Sequence, residues 1–178
     1  MVTAGLTLES VMAVILITGG ARSGKSTRAE ARARAFAGQP VYIATAEALD
    51  AEMRERIATH RARRGPEWLE RETPLELAAA LAETDGGGAR LVDCLTLWLS
   101  NLLHAERDWW KAASALADTL GRQQSPVVLV TNEVGLGIVP DNALAREFRD
   151  AAGIMNQMIA SAADEVEFVV AGLPIRVK

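Results

Sequence analysis

Short apolar runs recur along this chain, each followed by a longer stretch with helical spacing. Val14-Ile15-Leu16-Ile17, Val41-Tyr42-Ile43-Ala44, Arg90-Leu91-Val92-Asp93-Cys94, Val127-Val128-Leu129-Val130 and Val166-Glu167-Phe168-Val169-Val170 are rich in β-branched residues and do not alternate strictly. That is the pattern of strands buried on both faces. Two weaker pieces, 68–71 and 175–177, read as short strands. The intervening stretches predict helices over about 24–37, 50–64, 74–83, 96–104, 108–123 and 142–162. Stop signals stand where helices should end, at Gly38-Gln39-Pro40, Gly65-Pro66 and Ser125-Pro126. Thr73-Pro74-Leu75-Glu76 reads as a capping box with proline at the first helical position. Repeated strand–helix units predict an α/β protein whose mostly parallel sheet carries helices on both faces.

Between the first strand and the first helix lies Gly19-Gly20-Ala21-Arg22-Ser23-Gly24-Lys25-Ser26. It fits G-x-x-x-x-G-K-[ST], the phosphate-binding loop, and it sits in the strand–turn–helix context that the motif needs. Backbone N–H groups of such a turn wrap a phosphate, aided by the positive end of the helix. Lys25 would reach the terminal phosphates and the Ser26 hydroxyl would ligate Mg²⁺. The fold class is therefore that of a P-loop NTPase. Ligands of open α/β sheets bind beyond the carboxyl ends of the strands, which makes Thr45 a candidate nucleotide contact.

Three further features bear on chemistry. Met53, Ile57 and His60 share one helix face at i, i+4, i+7, with Arg56 and Arg64 four residues on either side of the histidine and Arg61 and Arg63 close by. Spacing alone leaves two readings: a partly buried core histidine beside a solvated basic face, or a nucleophile. In the second, neighbouring positive charge keeps the ring neutral, and the arginines hold a polyphosphate. Asp93, at a strand end, either helps to hold Mg²⁺ or caps the following helix through the Thr96 or Leu97 amides. Glu133, at the mouth of the strongest strand, is either a general base for a substrate hydroxyl or a partner for loop amides. Cys94 and the tryptophans Trp98, Trp109 and Trp110 read as packing groups. His104 shows no partner, and Arg28, Arg32 and Arg34 read as a solvated face.

Composition narrows the classes. The 178 residues are 49% hydrophobic and 24% charged, ordinary for a globular protein and enough for one domain over 14–178. Residues 1–13 are weakly patterned, without the positive segment of a signal peptide, and read as a flexible extension. A net charge of −4 argues against nucleic acid as a partner. A single cysteine excludes an internal disulfide framework and points to a reducing, cytoplasmic setting. No apolar run reaches membrane-spanning length.

The phosphate loop, Tyr42-Ile43-Ala44-Thr45, Asp50-Ala51-Glu52-Met53 with Arg56, Ile57 and His60, and Val130-Thr131-Asn132-Glu133-Val134-Gly135-Leu136-Gly137-Ile138-Val139-Pro140 together resemble one family. It is the bifunctional adenosylcobinamide kinase / adenosylcobinamide-phosphate guanylyltransferase family of cobalamin biosynthesis. The likeness runs from Val14 to Lys178. It implies a RecA-like fold, phosphorylation of the corrinoid's aminopropanol hydroxyl by ATP or GTP, and then transfer of GMP from GTP through a guanylylated histidine, here His60. The implied nucleotide contacts are Gly19 to Ser26, Ala44, Thr45, Ala46, Arg61, Ala62, Arg63, Arg64, Glu72 and Asp93. Ser26 and Asp93 are the implied metal contacts, and a homotrimer the implied assembly. A plain small-molecule kinase and a GTP-binding regulatory module are the alternatives. The Asn-Lys-x-Asp run by which switch GTPases read guanine is absent from the strand end held by Thr131-Asn132-Glu133-Val134.

Overall fold

The structure, a computed structural model, describes residues 12–47 and 51–178, the side chains of Glu52, Met53, Arg56 and Arg63 excepted. The expectation for 1–13 thus falls outside the described residues, save at Met12 and Ala13. Asp50 and the side chain of Met53 fall outside them too. In chain order the elements are β1 (Val14–Gly19), α1 (Lys25–Arg34), β2 (Val41–Ala44), α2 (Ala51–Arg64), β3 (Leu69–Glu72), α3 (Leu77–Glu83) and β4 (Arg90–Asp93). Then come α4 (Leu95–His104), α5 (Trp109–Leu120), β5 (Val127–Val130), α6 (Ala143–Ala162), β6 (Glu165–Val170) and β7 (Leu173–Arg176). All seven strands form one sheet in the order β3-β2-β4-β5-β1-β6-β7. Every pairing is parallel except β6 with β7.

The central strands explain the unbroken apolar runs. Val14 and Leu16 face a core shared with Ala151, Met155 and Ile159 of α6, while Ile15 and Ile17 face Ala29 and Ala33 of α1. Each strand is thus covered on both sides, and strict alternation has no reason to appear. The edge strands β3 and β7 are exposed along their length; charge in Leu-Glu-Arg-Glu blunts the first of these edges.

Three local expectations give way to tertiary contacts. The 73–76 capping box does not form: α3 begins at Leu77, with Glu76 as N-cap and no side-chain cap. Instead the Thr73 N–H extends the ladder to the Ala44 carbonyl, and the Pro74 carbonyl accepts from Asn101. Arg28, Arg32 and Arg34 are not a solvated face. Arg28 holds Glu167 of β6 at 2.7 Å, Arg32 holds Glu165 and Glu167 at 3.0 Å, and Arg34 bonds the Arg64 carbonyl at 2.7 Å. The first helix also stops short, at Arg34, with Ala35 as its C-cap. Finally, His104 does have a partner, the Ser100 carbonyl 2.7 Å from Nδ1.

At the amino ends of the strands Arg90, fully buried, pairs with Asp85 at 2.9 Å and with Gln123. Asp85 also accepts the Gln124 and Ser125 N–H groups. This clasp ties the starts of β4 and β5 together. The opposite edge, at the carboxyl ends, is left to carry the loops that follow β1, β2, β4 and β5.

Candidate active site

The phosphate loop is fixed by its backbone. A Cβ at Gly19 would come within 2.5 Å of the Val169 carbonyl oxygen, and Gly24, the N-cap of α1, has φ +96°. Both positions therefore require glycine. Two outside contacts brace the turn: the Glu133 N–H donates to the Gly19 carbonyl at 3.0 Å, and the Gly172 N–H, in the β6–β7 turn, to the Ser23 carbonyl at 2.8 Å. Lys25 is buried, with Nζ donating to the Gly20 carbonyl at 2.8 Å. The loop opens on a cleft of about 880 Å³, lined by Ala21 to Thr27, by Glu55, Thr59 and His60 of α2, and by Asn132 to Val134 after β5.

A second cavity, of about 730 Å³, lies on the β2–β3 side. Its walls are Tyr42, Ala44, Ala46 and Glu47, then Arg54, Ile57, Ala58, His60, Arg61, Ala62 and Arg64 of α2. Glu70 and Glu72 of β3, Pro74, Asp93, Cys94 and Leu97 complete it. His60 is the only described residue that lines both spaces.

Charge is arranged differently in the two. In the second cavity Arg61 meets Glu70 at 2.5 Å and Glu72 at 3.5 Å, and Arg64 meets Glu70 at 2.7 Å. The Arg61 hydrogen bond, helped by Arg64, holds the Glu70 carboxyl below its usual range against the effect of burial. Arg64 is buried and lies over the Tyr42 ring, 3.4 Å from its centroid. That aromatic face stands in for acceptors that its Nε and Nη1 lack among the described residues. Tyr42 donates to Asp93 Oδ2 at 3.1 Å. Burial first, then the Asp93 charge, raises the phenol pKa well above its ordinary value, with Arg64 opposing, so Tyr42 stays a donor.

The residues expected from sequence thus fall into two groups. Ala21, Arg22, Ser23, Gly24, Lys25 and Ser26 line the first space, while Gly19 and Gly20 belong to the same turn but not to its lining; Ala44, Ala46, Arg61, Ala62, Arg64, Glu72 and Asp93 line the second. Thr45 lines neither: it is fully buried, its hydroxyl donating to the Cys94 carbonyl and accepting the Cys94 N–H, both at 2.8 Å. The Arg63 side chain is outside the described residues. Ser26 and Asp93 do not share a cavity, and Asp93 is not a helix cap, since Cys94 is the N-cap of α4 and makes no side-chain cap bond. No cluster of three or more His, Cys, Asp or Glu suited to a metal occurs among the described residues. Glu133 bonds a loop amide, its Oε1 accepting the Gly135 N–H at 2.6 Å, and also lines the first cleft.

Sequence reasoning missed Tyr42, Glu70 and Leu97 as cavity residues, and it treated Cys94 as packing alone. It also missed the polar chain that fixes the exit of β5. The Asn132 N–H donates to Thr96 Oγ1 at 2.7 Å, Thr96 and Thr131 hydroxyls meet at 3.3 Å, and Thr131 donates to Asn156 at 2.7 Å. For Cys94, Thr96, Leu97, Thr131 and Asn132 the signal is positional, since they follow the carboxyl ends of β4 and β5; Tyr42 and Glu70, inside their strands, and Asn156, within α6, carry no such signal.

Comparison with known proteins agrees with this architecture. The model of the family described as "Cobinamide kinase / cobinamide phosphate guanyltransferase" matches residues 15–177. "Bifunctional adenosylcobalamin biosynthesis protein CobP" of Pseudomonas aeruginosa is 50% identical over 173 residues, spanning 92% of this chain and 96% of that protein. The Salmonella typhimurium protein "Bifunctional adenosylcobalamin biosynthesis protein CobU" is 44% identical, spanning 93% and 99%. Among solved structures, "a prototypical ATPase from the type III secretion system of pathogenic bacteria" superposes with a TM-score of 0.54 at 12% identity over 92% of this chain. This chain spans only 56% of that ATPase, and the likeness shows a shared P-loop α/β fold. No helix among the described residues is long and apolar enough to cross a membrane.

Proposed function

The chain belongs to the cobinamide kinase / cobinamide phosphate guanyltransferase family, and from that premise we propose that it is an enzyme that performs both reactions, with 14–178 acting as one catalytic domain. In the first, ATP or GTP held at the phosphate loop donates its γ-phosphoryl group to the aminopropanol hydroxyl of adenosylcobinamide. The hydroxyl oxygen bonds to phosphorus, the nucleoside diphosphate leaves, and Glu133 takes the proton. In the second, a His60 ring nitrogen attacks the α-phosphorus of GTP and pyrophosphate departs. The substrate's phosphate oxygen then displaces the imidazole, giving adenosylcobinamide-GDP.

The observation that carries this is the place of His60 on the wall common to both spaces. A GTP with its β- and γ-phosphates at Lys25 and its guanosine beyond His60 brings its α-phosphorus to that wall. The charge pattern supports the same division. The phosphate loop offers amides and an ammonium, which suit polyphosphate. The second cavity offers carboxylates and already paired arginines, which suit a nucleoside. Arg61 and Arg64 are then positioning groups rather than the principal phosphate clamp. Mg²⁺ fits at Ser26, which lines the phosphate cleft, where it would neutralise phosphate charge; Asp93 belongs with the nucleoside. The assembly expected is a cytoplasmic homotrimer.

Incubation with α-labelled GTP tests the proposal. It predicts acid-labile, base-stable label on the wild-type protein and none on His60→Ala, which keeps measurable cobinamide phosphorylation. Label that persists on His60→Ala contradicts the nucleophile, and diphosphate release with no covalent label on the wild type reduces the protein to a plain kinase.

A further inference from the structure

Resting on the function proposed above, the geometry points to the surface that holds the body of the acceptor. That body is a broad, flat macrocycle with apolar faces and a fringe of carboxamides. The hydroxyl at the end of its arm must enter the phosphate-loop cleft, and the macrocycle must lie just outside it. The described walls of that cleft differ in what they lead to. The phosphate loop and the α2 wall, Glu55 and Thr59, present polar groups. The third wall, Asn132 to Val134, runs on in the chain into a segment of exposed apolar side chains, the proposed ledge. Leu136 is 79% exposed and Ile138 98% exposed. Val139 and Leu144 are more than half exposed, and Ile154 of α6, 37% exposed, shares a hollow with Val139.

Isolated exposed apolar side chains need no explanation, but a run of them beside a substrate cleft does. The ledge borders a shallow hollow of about 450 Å³, where Val139 and Ile154 stand beside Gln157 and the Arg149–Asp150 ion pair. That mixture of apolar floor and hydrogen-bonding rim matches a macrocycle whose edge carries amides. The near end of the loop is rigid, because the Asn132 N–H is held by Thr96 and the Glu133 N–H by Gly19. A macrocycle seated on the ledge therefore holds its arm in register with Glu133 and the γ-phosphate. Binding there is uniform for ground state and transition state, so its loss appears in KM rather than in kcat.

The test uses the full-length protein and the variants Leu136→Ser and Ile138→Ser, both at exposed positions whose change leaves the core intact. The kinase step is followed with adenosylcobinamide and, separately, with free 1-amino-2-propanol, the arm without the macrocycle. Nucleotide affinity and sedimentation are measured alongside. A rise in KM for adenosylcobinamide of about tenfold or more, with ATP affinity and turnover of the bare arm unchanged, is the expected result. An unchanged KM overturns it. So does a change in oligomeric state without a change in KM, which assigns the ledge to a second copy of the chain. A wild-type protein that phosphorylates neither acceptor is a failure of the proposed function itself, a result different from variants that match an active wild type.

Discussion

The two spaces that meet at His60 are built on opposite principles. The phosphate-loop cleft is made by backbone: two glycines, a helix start, and one buried lysine held by the Gly20 carbonyl. Its positive field comes from oriented backbone N–H groups and that lysine. The second cavity is made by side chains from five elements, β2, α2, β3, β4 and α4, and its Arg61 and Arg64 are already answered by Glu70 and Glu72. A site for highly charged phosphate can be local and backbone-made, because oriented N–H groups supply the field. A site for a neutral base and ribose needs varied donors and acceptors, which only distant segments together can provide.

This contrast ranks the effects of mutation. Lys25→Ala removes the one buried lysine or arginine among the described residues of the phosphate cleft and should slow both reactions by roughly 100-fold or more, read as kcat/KM for each. A variant that loses only one reaction would show that the two do not share the phosphate loop. Arg64→Lys keeps the charge but loses the planar stack on Tyr42 and part of the Glu70 pairing. Guanine-nucleotide affinity should fall about tenfold, with the transferase step affected more than ATP-driven phosphorylation. Equal losses in both steps would erase the distinction between the cavities.

Smaller effects should follow outside the two spaces. Thr96→Val removes the hydroxyl that holds the Asn132 N–H. A loss of about 1 kcal/mol in denaturant unfolding, with a modest fall in kinase turnover, is expected. The smallest effect is on acid stability. The Arg28 hydrogen bond holds the Glu167 carboxyl below its usual range, and Arg32 helps. A depressed carboxyl stabilises the fold above its unfolded pKa, and that stabilisation disappears as pH falls through the folded value. Thermal melts of Glu167→Gln should therefore be flatter than wild type on the acid side and differ from it most at neutral pH.

What could be read in advance follows the same division. The strands were readable because burial on both faces leaves uninterrupted apolar runs, and the phosphate loop because its geometry is set within eight consecutive residues. Arg28 and Arg32 were misjudged because their partners, Glu165 and Glu167, lie at the far end of the chain. Thr73 had the local pattern of a cap, but its N–H was claimed by the Ala44 carbonyl. Glu70 sits in a charged, exposed edge strand that looks solvated until α2 brings Arg61 and Arg64 against it. The spacing around His60 could not choose between a packed ring and a reactive one. Its half-buried place on two cavity walls comes from the packing of α2 against the strand ends.

The most direct measurement is a crystal structure with a guanosine triphosphate whose α–β bridge cannot be cleaved. The account predicts β- and γ-phosphates on the amides of 20–26, the base and ribose among Tyr42, Glu72 and Asp93, and the α-phosphorus within attacking reach of a His60 ring nitrogen. A nucleotide lying wholly inside the phosphate cleft, with its base away from Asp93 and the imidazole out of reach, would contradict it.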